Sequence, residues 1–176
     1  MLFRSDDSSH NHVTLLMEAV ECHSPQTVQM LLDHGANPMA KDDDGRNPIY
    51  YFIDDDPDRL KIAEMLVKWG SDVNAVDNEG QTALLTNCYY RRIHIARFLI
   101  AHGARVNVTD EDGDTPLLDC FQFPQSSDTP DIVKLLIAHG ANVNQCNKAG
   151  QTPLSLAKDA GDKHTIRLLV AAGAKR

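Results

Sequence analysis

The sequence contains no stretch approaching the roughly 20 apolar residues that a membrane span needs. Its opening, Met1-Leu2-Phe3-Arg4-Ser5-Asp6-Asp7, lacks the long apolar core of a secretory signal. A soluble, cytoplasmic chain without membrane contact is expected, and a secreted or exported form stays compatible with these residues. Cysteine is scarce: Cys22, Cys88, Cys120 and Cys146 form no CxxC pair, so free thiols in a reducing compartment are expected rather than a disulfide framework. Positive charge is also short, with 17 Lys and Arg against 25 Asp and Glu, a formal charge of −8. Phosphate binding needs a basic face, so nucleic acid is not an expected partner, whereas a basic protein is compatible. Catalytic punctuation is missing too. No G-x-S-x-G elbow, G-x-x-x-x-G-K-[ST] phosphate loop or HExxH pair occurs, and no enzyme, cofactor or metal is expected.

What is present is a repeated piece of punctuation. Gly140-Ala141-Asn142-Val143-Asn144 reads as a helix end turning on glycine. Gln151-Thr152-Pro153-Leu154 reads as a helix start, with Thr152 as N-cap and Pro153 in the first helical position. The intervening Gln145-Cys146-Asn147-Lys148-Ala149-Gly150 is long enough only for a tight hairpin. Helix-ending glycines recur at Gly35, Gly70, Gly103, Gly140 and Gly173, spaced 35, 33, 37 and 33 residues. Helix-opening residues recur at Thr14, Asn47, Thr82, Thr115 and Thr152, spaced 33, 35, 33 and 37. Every excess over 33 falls between an opening and the next glycine, so insertions interrupt the helical half and the hairpin keeps its length. Before each glycine lies an apolar run such as Ile95-Ala96-Arg97-Phe98-Leu99-Ile100 or Ile132-Val133-Lys134-Leu135-Leu136-Ile137, apolar at i, i+3 and i+4. Each unit is expected to be helix, turn, helix, hairpin. A unit of that size cannot bury its own apolar face, so neighbours must stack.

These residues resemble the ankyrin-repeat family, whose unit is about 33 residues, a β-turn and two helices opening on a T-P-L-H-type start. The match is carried by Asp110-Glu111-Asp112-Gly113-Asp114-Thr115-Pro116-Leu117, Gly150-Gln151-Thr152-Pro153-Leu154, Gly80-Gln81-Thr82-Ala83-Leu84 and the ending Gly103-Ala104-Arg105-Val106-Asn107. The resemblance implies an all-α solenoid of five units, slightly curved, with protruding hairpins. Residues 1–8 would be a flexible leader, and the units would run about 9–41, 42–76, 77–109, 110–146 and 147–176. Several positions depart from the pattern. Phe52, and the pair Cys120-Phe121, stand where small alanines are usual, and His12 stands at the first hairpin's glycine. A ring at Phe52 needs compensating space, since overpacking costs about 1–3 kcal/mol. The last unit is expected to turn His164 and Arg167 to solvent.

Candidate binding elements follow from the departures and the resemblance together. Asp54-Asp55-Asp56-Pro57-Asp58 and Phe123-Pro124-Gln125-Ser126-Ser127-Asp128-Thr129-Pro130-Asp131 interrupt the helix-helix turns. They are either tolerated surface variation or binding loops, and the aromatic area of Phe121 and Phe123 favours binding for the second. Asp42, Asp77 and Asp110 open the hairpins and are read as structural, each hydrogen-bonding the turn backbone. Asp43, Asp44, Glu79, Glu111, Asp112 and Asp114 exceed that role; they form a solvated face or steer a basic partner. Partners of the family usually dock on finger tips and first helices. Carried over by position, that surface comprises Met39, Lys41, Asp43, Arg46, Val76, Asn78, Gln81, Tyr89, Tyr90, Arg91, Thr109, Glu111, Asp114, Gln122, Phe123, Gln125, Lys148 and Gln151. Of the adjacent tyrosines, one is expected to pack and one to reach outward.

Eight histidines raise a metal question. His34, His102 and His139 share one repeat position, just before the helix-ending glycine, where they suit a helix C-terminus. Successive copies would lie about 10 Å apart, too far to share one zinc with bonds near 2 Å. Cys146 sits on a finger tip, where Gln145, Asn147 and Lys148 make only a weak case for an activated thiol. The function expected is non-catalytic recognition of another protein by a chain that is monomeric on its own. The alternative is a dedicated inhibitor or immunity protein masking a partner enzyme's active site.

Overall fold

The computed structural model describes residues 12–52, 60–122 and 129–175. The helices are α1 (Leu15–Glu21), α2 (Pro25–Asp33), α3 (Lys61–Lys68), α4 (Ala83–Tyr89), α5 (Ile93–Ala101), α6 (Pro116–Asp119), α7 (Thr129–Ala138), α8 (Pro153–Asp159) and α9 (Lys163–Ala171), with a 3-10 turn at Pro48–Tyr51 between α2 and α3. Among the described residues no strand forms. A single antiparallel bridge joins Val76 and Thr82.

The first helices begin where threonine can cap them. Thr14, Thr82, Thr115 and Thr152 are extended, and each hydroxyl accepts the backbone N–H three residues on. That satisfies one of the N–H groups a helix start leaves without an intrahelical partner. Asn47 behaves differently: its side chain makes no cap and donates instead to the Asp72 carbonyl at 3.0 Å. Thr115 is almost fully buried, so Thr115→Ala is expected to lower stability by about 1 kcal/mol. Urea denaturation of the variant against the parent chain measures it.

Second helices close on glycine. Gly35, Gly70, Gly103, Gly140 and Gly173 hold φ between 85° and 97°, a region closed to most side chains. Ahead of three of them the ring Nδ1 of His34, His102 and His139 donates to the carbonyl four residues earlier, at 2.7, 2.9 and 2.8 Å. These imidazoles are helix caps, as their repeat position suggests.

Stacking is carried by three contacts. A continuous apolar cluster runs through every helix pair, from Leu16 and Leu32 past Leu66, Leu84, Leu99, Leu117 and Leu136 to Leu169. Beside it, Asn74, Asn107 and Asn144 each bridge to the next unit: the amide donates to the carbonyl of Gly103, Gly140 or Gly173, and the side-chain oxygen accepts the N–H of Arg105, Asn142 or Lys175. Met39 holds the corresponding place in the first unit, and there the thioether sulfur faces the Asp72 N–H at 3.3 Å. The hairpin fingers stack as well, with Asn78 N–H on the Asp44 carbonyl (2.8 Å) and Lys148 N–H on the Asp112 carbonyl (2.9 Å). At Gly45 the approach is so close that a Cβ would stand 2.6 Å from the Asn78 side chain.

Two first helices are shorter than the repeat implies. The second unit has only the Pro48–Tyr51 turn and the fourth only the four residues of α6. Both precede the inserted segments: residues 54–58 and 123–128 lie outside the described residues, whereas Thr129, Pro130 and Asp131, read as part of the second interruption, form the first turn of α7. Phe52, the residue that ends the shortened turn, is completely buried within the apolar cluster. The helix-helix turns show a further regularity. His23, Arg91 and Gly161 all take positive φ, 52°, 56° and 70°, nine residues after their caps. His12 likewise takes φ 51° ahead of the first finger, the one opened by Asp42, and contacts Asp43. In the last unit His164 and Arg167 are exposed, as expected of an outer helix.

Candidate partner-binding site

The finger residues are built by their first aspartate. Asp42, Asp77 and Asp110 each accept the backbone N–H four residues on through Oδ1, at 2.8 Å, closing the tip. Asn147 does the same for Ala149 and Gln151. With the tips fixed, the side chains they project and the inner helices between them define the exposed ridge.

One cleft stands out on that ridge. It has a volume of about 420 Å³ and lies between the second and third fingers, α4 and α6. Its lining is Glu79, Gln81, Thr86, Tyr89, Tyr90, Asp110, Asp112, Asp114, Asp119 and Gln122. Half of these are carboxylates and none is cationic. Tyr89 and Tyr90 meet edge to face, ring centroids 5.1 Å apart, and the Arg92 guanidinium lies 4.6 Å from the Tyr90 centroid. Tyr90 is 53% exposed while Tyr89 is half-buried, the split expected of the pair.

The cleft floor is a carboxylate triad. Oxygens of Asp110, Asp114 and Asp119 lie within 4.8 Å of one another. Asp110 is held by the finger N–H groups and by the Gln81 amide at 2.8 Å. Asp114 accepts from the amides of Asn147 (2.8 Å) and Gln122 (2.9 Å). Asp119 accepts no side-chain hydrogen bond among the described residues, although it is only 4% exposed. Burial pushes its carboxyl up to about 8, and the charges of Asp110 and Asp114 add to the rise. Burial also raises Asp114, and Asp110 and Asp112 push the same way against the two amides that lower it.

The structure gathers Gln81, Tyr89, Tyr90, Asp114 and Gln122 from the expected surface into this one cleft. Asp114 is the correction: expected among exposed acids, it is 6% exposed and locked to Asn147 and Gln122. Other expected positions lie elsewhere on the ridge. Met39 is 47% exposed, and the Lys41 ammonium donates to the Val76 carbonyl at 2.8 Å. Arg46 is ion-paired to Asp42 and Asp44, and Asn78 is bonded to the Asp43 carbonyl at 2.7 Å. Arg91 occupies the positive-φ turn, with Nε on the Cys120 carbonyl at 3.3 Å. Glu111, Thr109 and Lys148 are exposed, and exposed Gln151 accepts from Asn147. Phe123, Gln125 and Asp54 to Asp56 lie outside the described residues, as do residues 1–8. Thr86 and Asp119 were not legible as site residues. Both stand four residues after a cap threonine, Thr82 and Thr115, and that shared register is the signal that points them into one cleft.

A family model for ankyrin repeats, in three copies, matches residues 2–77 and 56–144. The chain belongs to the ankyrin-repeat family. Among curated proteins, Ankyrin repeat and SOCS box protein 6 of Homo sapiens and of Mus musculus is 35% identical to this ankyrin-repeat chain over 74 residues, 42% of its length. The match spans only 18% of those relatives. Among solved structures, an ankyrin repeat domain from Acinetobacter baumannii AYE superposes with a TM-score of 0.88 at 32% identity, covering 99% of this chain and 89% of that one. Ankyrin repeats are generally protein–protein interaction modules and typically non-catalytic. Among the described residues no helix is long and apolar enough to cross a membrane.

Proposed function

We propose that this ankyrin-repeat chain binds a partner protein bearing a basic surface, along the finger ridge and the inner helices α4 and α6. The observation that carries the reading is the cleft lined by five carboxylates, two tyrosines and no cation. Carboxylates gathered on one face raise the local concentration of basic groups and speed their encounter, an effect that salt weakens. Tyrosine adds contact area at small entropic cost and is enriched among interface residues that dominate affinity. Together they supply both the steering and the anchor of a docking surface.

The test is capture of partners from the native organism at low and at high salt, followed by affinity measurements on a recovered partner. Tyr90→Ala and, separately, Glu111→Lys on the exposed third finger are expected to weaken binding about tenfold or more, with helix content unchanged. The Glu111→Lys loss should shrink as salt rises. Unchanged affinity in both variants removes the ridge as the docking surface.

A further inference from the structure

The triad at the cleft floor is more specific than a steering field requires. Two of its members, Asp110 and Asp114, accept amide hydrogens from Gln81, Gln122 and Asn147 and are thereby held in place. The third, Asp119, is 4% exposed, carries no side-chain hydrogen bond among the described residues, and opens on the cleft. A buried carboxyl without a partner is costly unless something supplies one. Resting on the docking reading above, we propose that the cleft receives the guanidinium of one arginine side chain from the partner protein, seated against Asp119 and stacked on the tyrosine wall.

Three features select this occupant. A guanidinium offers five N–H donors in a planar fork, which suits several carboxylate oxygens converging within 4.8 Å. Its flat, weakly hydrated faces stack on aromatic rings, and the Tyr90 ring already holds one guanidinium, that of Arg92, in this way. A bare metal ion fits less well. The cleft, about 420 Å³ and lined by two tyrosines, has room for a side chain, and a bare ion would fill a small part of it. Of the six to eight oxygens that calcium takes, the three aspartates bring one each to the point where they converge.

The experiment is an NMR titration of the full chain with N-acetyl-arginine methylamide, beside its citrulline and lysine analogues, calcium chloride and magnesium chloride. Saturable shifts at the Thr86, Tyr89, Tyr90 and Gln122 amides are expected with the arginine probe. Citrulline, isosteric but uncharged, should bind at least tenfold more weakly, and lysine more weakly than arginine. Asp119→Asn should abolish the shifts while its thermal melt shows it folded. Absence of saturable shifts, equal binding of citrulline or lysine, or displacement of the arginine probe by submillimolar calcium or magnesium overturns the proposal. Failure here is separable from failure of docking. If Asp119→Asn keeps its affinity for a captured partner while Tyr90→Ala and Glu111→Lys lose theirs, the ridge stands and the arginine seat falls.

Discussion

Leu99→Ala is expected to lower the unfolding free energy by about 2–5 kcal/mol, read as a shift of the urea midpoint. Leu99 is on α5, in the third helix pair, and is completely buried. The apolar cluster it belongs to continues on both sides, through Leu66 of the preceding unit and Leu117 and Leu136 of the following one. Removing three carbons there leaves a cavity that rigid helices cannot close, so the loss exceeds the transfer free energy of the missing atoms. The effect should also spread. In a stacked array each unit is stabilised through its neighbours, and weakening a middle unit weakens two interfaces at once. A broadened or two-step transition is therefore expected along with the lower midpoint. Met30→Ala, at a 52% exposed position on α2, is the control and should stay within about 0.5 kcal/mol of the parent. Equal losses in the two variants would contradict the continuous core.

The fold was legible because its signals are local and repeated. A threonine three residues ahead of a backbone N–H, a glycine after an apolar stripe and an aspartate at a finger start each specify one hydrogen-bonded turn. The same turns form at Thr82, Thr115 and Thr152, at Gly103 and Gly140, and at Asp77 and Asp110. What the spacing did not show is how much helix each unit keeps. Asn47 and Thr115 each precede only four helical residues, and a cap residue carries no information about where its helix stops.

The site was half legible for a different reason. Tyr89 and Tyr90 announce themselves by type, and Gln81 and Gln122 by their place on the finger and inner helix. Burial does not announce itself. Asp114 and Asp112 look alike in sequence, yet one is 6% exposed and bonded to a neighbouring finger while the other is exposed. Asp119 is marked only by its register, four residues after the cap Thr115. Its isolation depends on Asp110 and Asp114 converging from the third finger, a contact that no residue-by-residue reading supplies.

That isolated carboxyl makes the second large effect one of pH. Asp119 is raised from an ordinary 3.8 to about 8, first by burial and then by the charges of Asp110 and Asp114. Below about pH 4 the group is protonated whether the chain is folded or not, and it contributes no pH dependence. Above that the unfolded chain releases the proton while the folded chain retains it, so ionisation favours unfolding and stability falls as pH rises. The fall continues to about pH 8, where the folded group ionises too, and then levels off. At about 1.4 kcal/mol for each pH unit traversed, even a partly relaxed site gives a loss on the order of a few kcal/mol across that window. Asp114, raised in the same direction, adds to it. Asp119→Asn removes the ionisation from both states. Its denaturation midpoint is expected to approach the parent's near pH 4, to exceed it clearly at pH 8, and to vary less with pH between. Parallel curves for the two proteins from pH 5 to pH 8 would show that the carboxyl is solvated in the folded chain, and the unpartnered floor of the cleft would go with it.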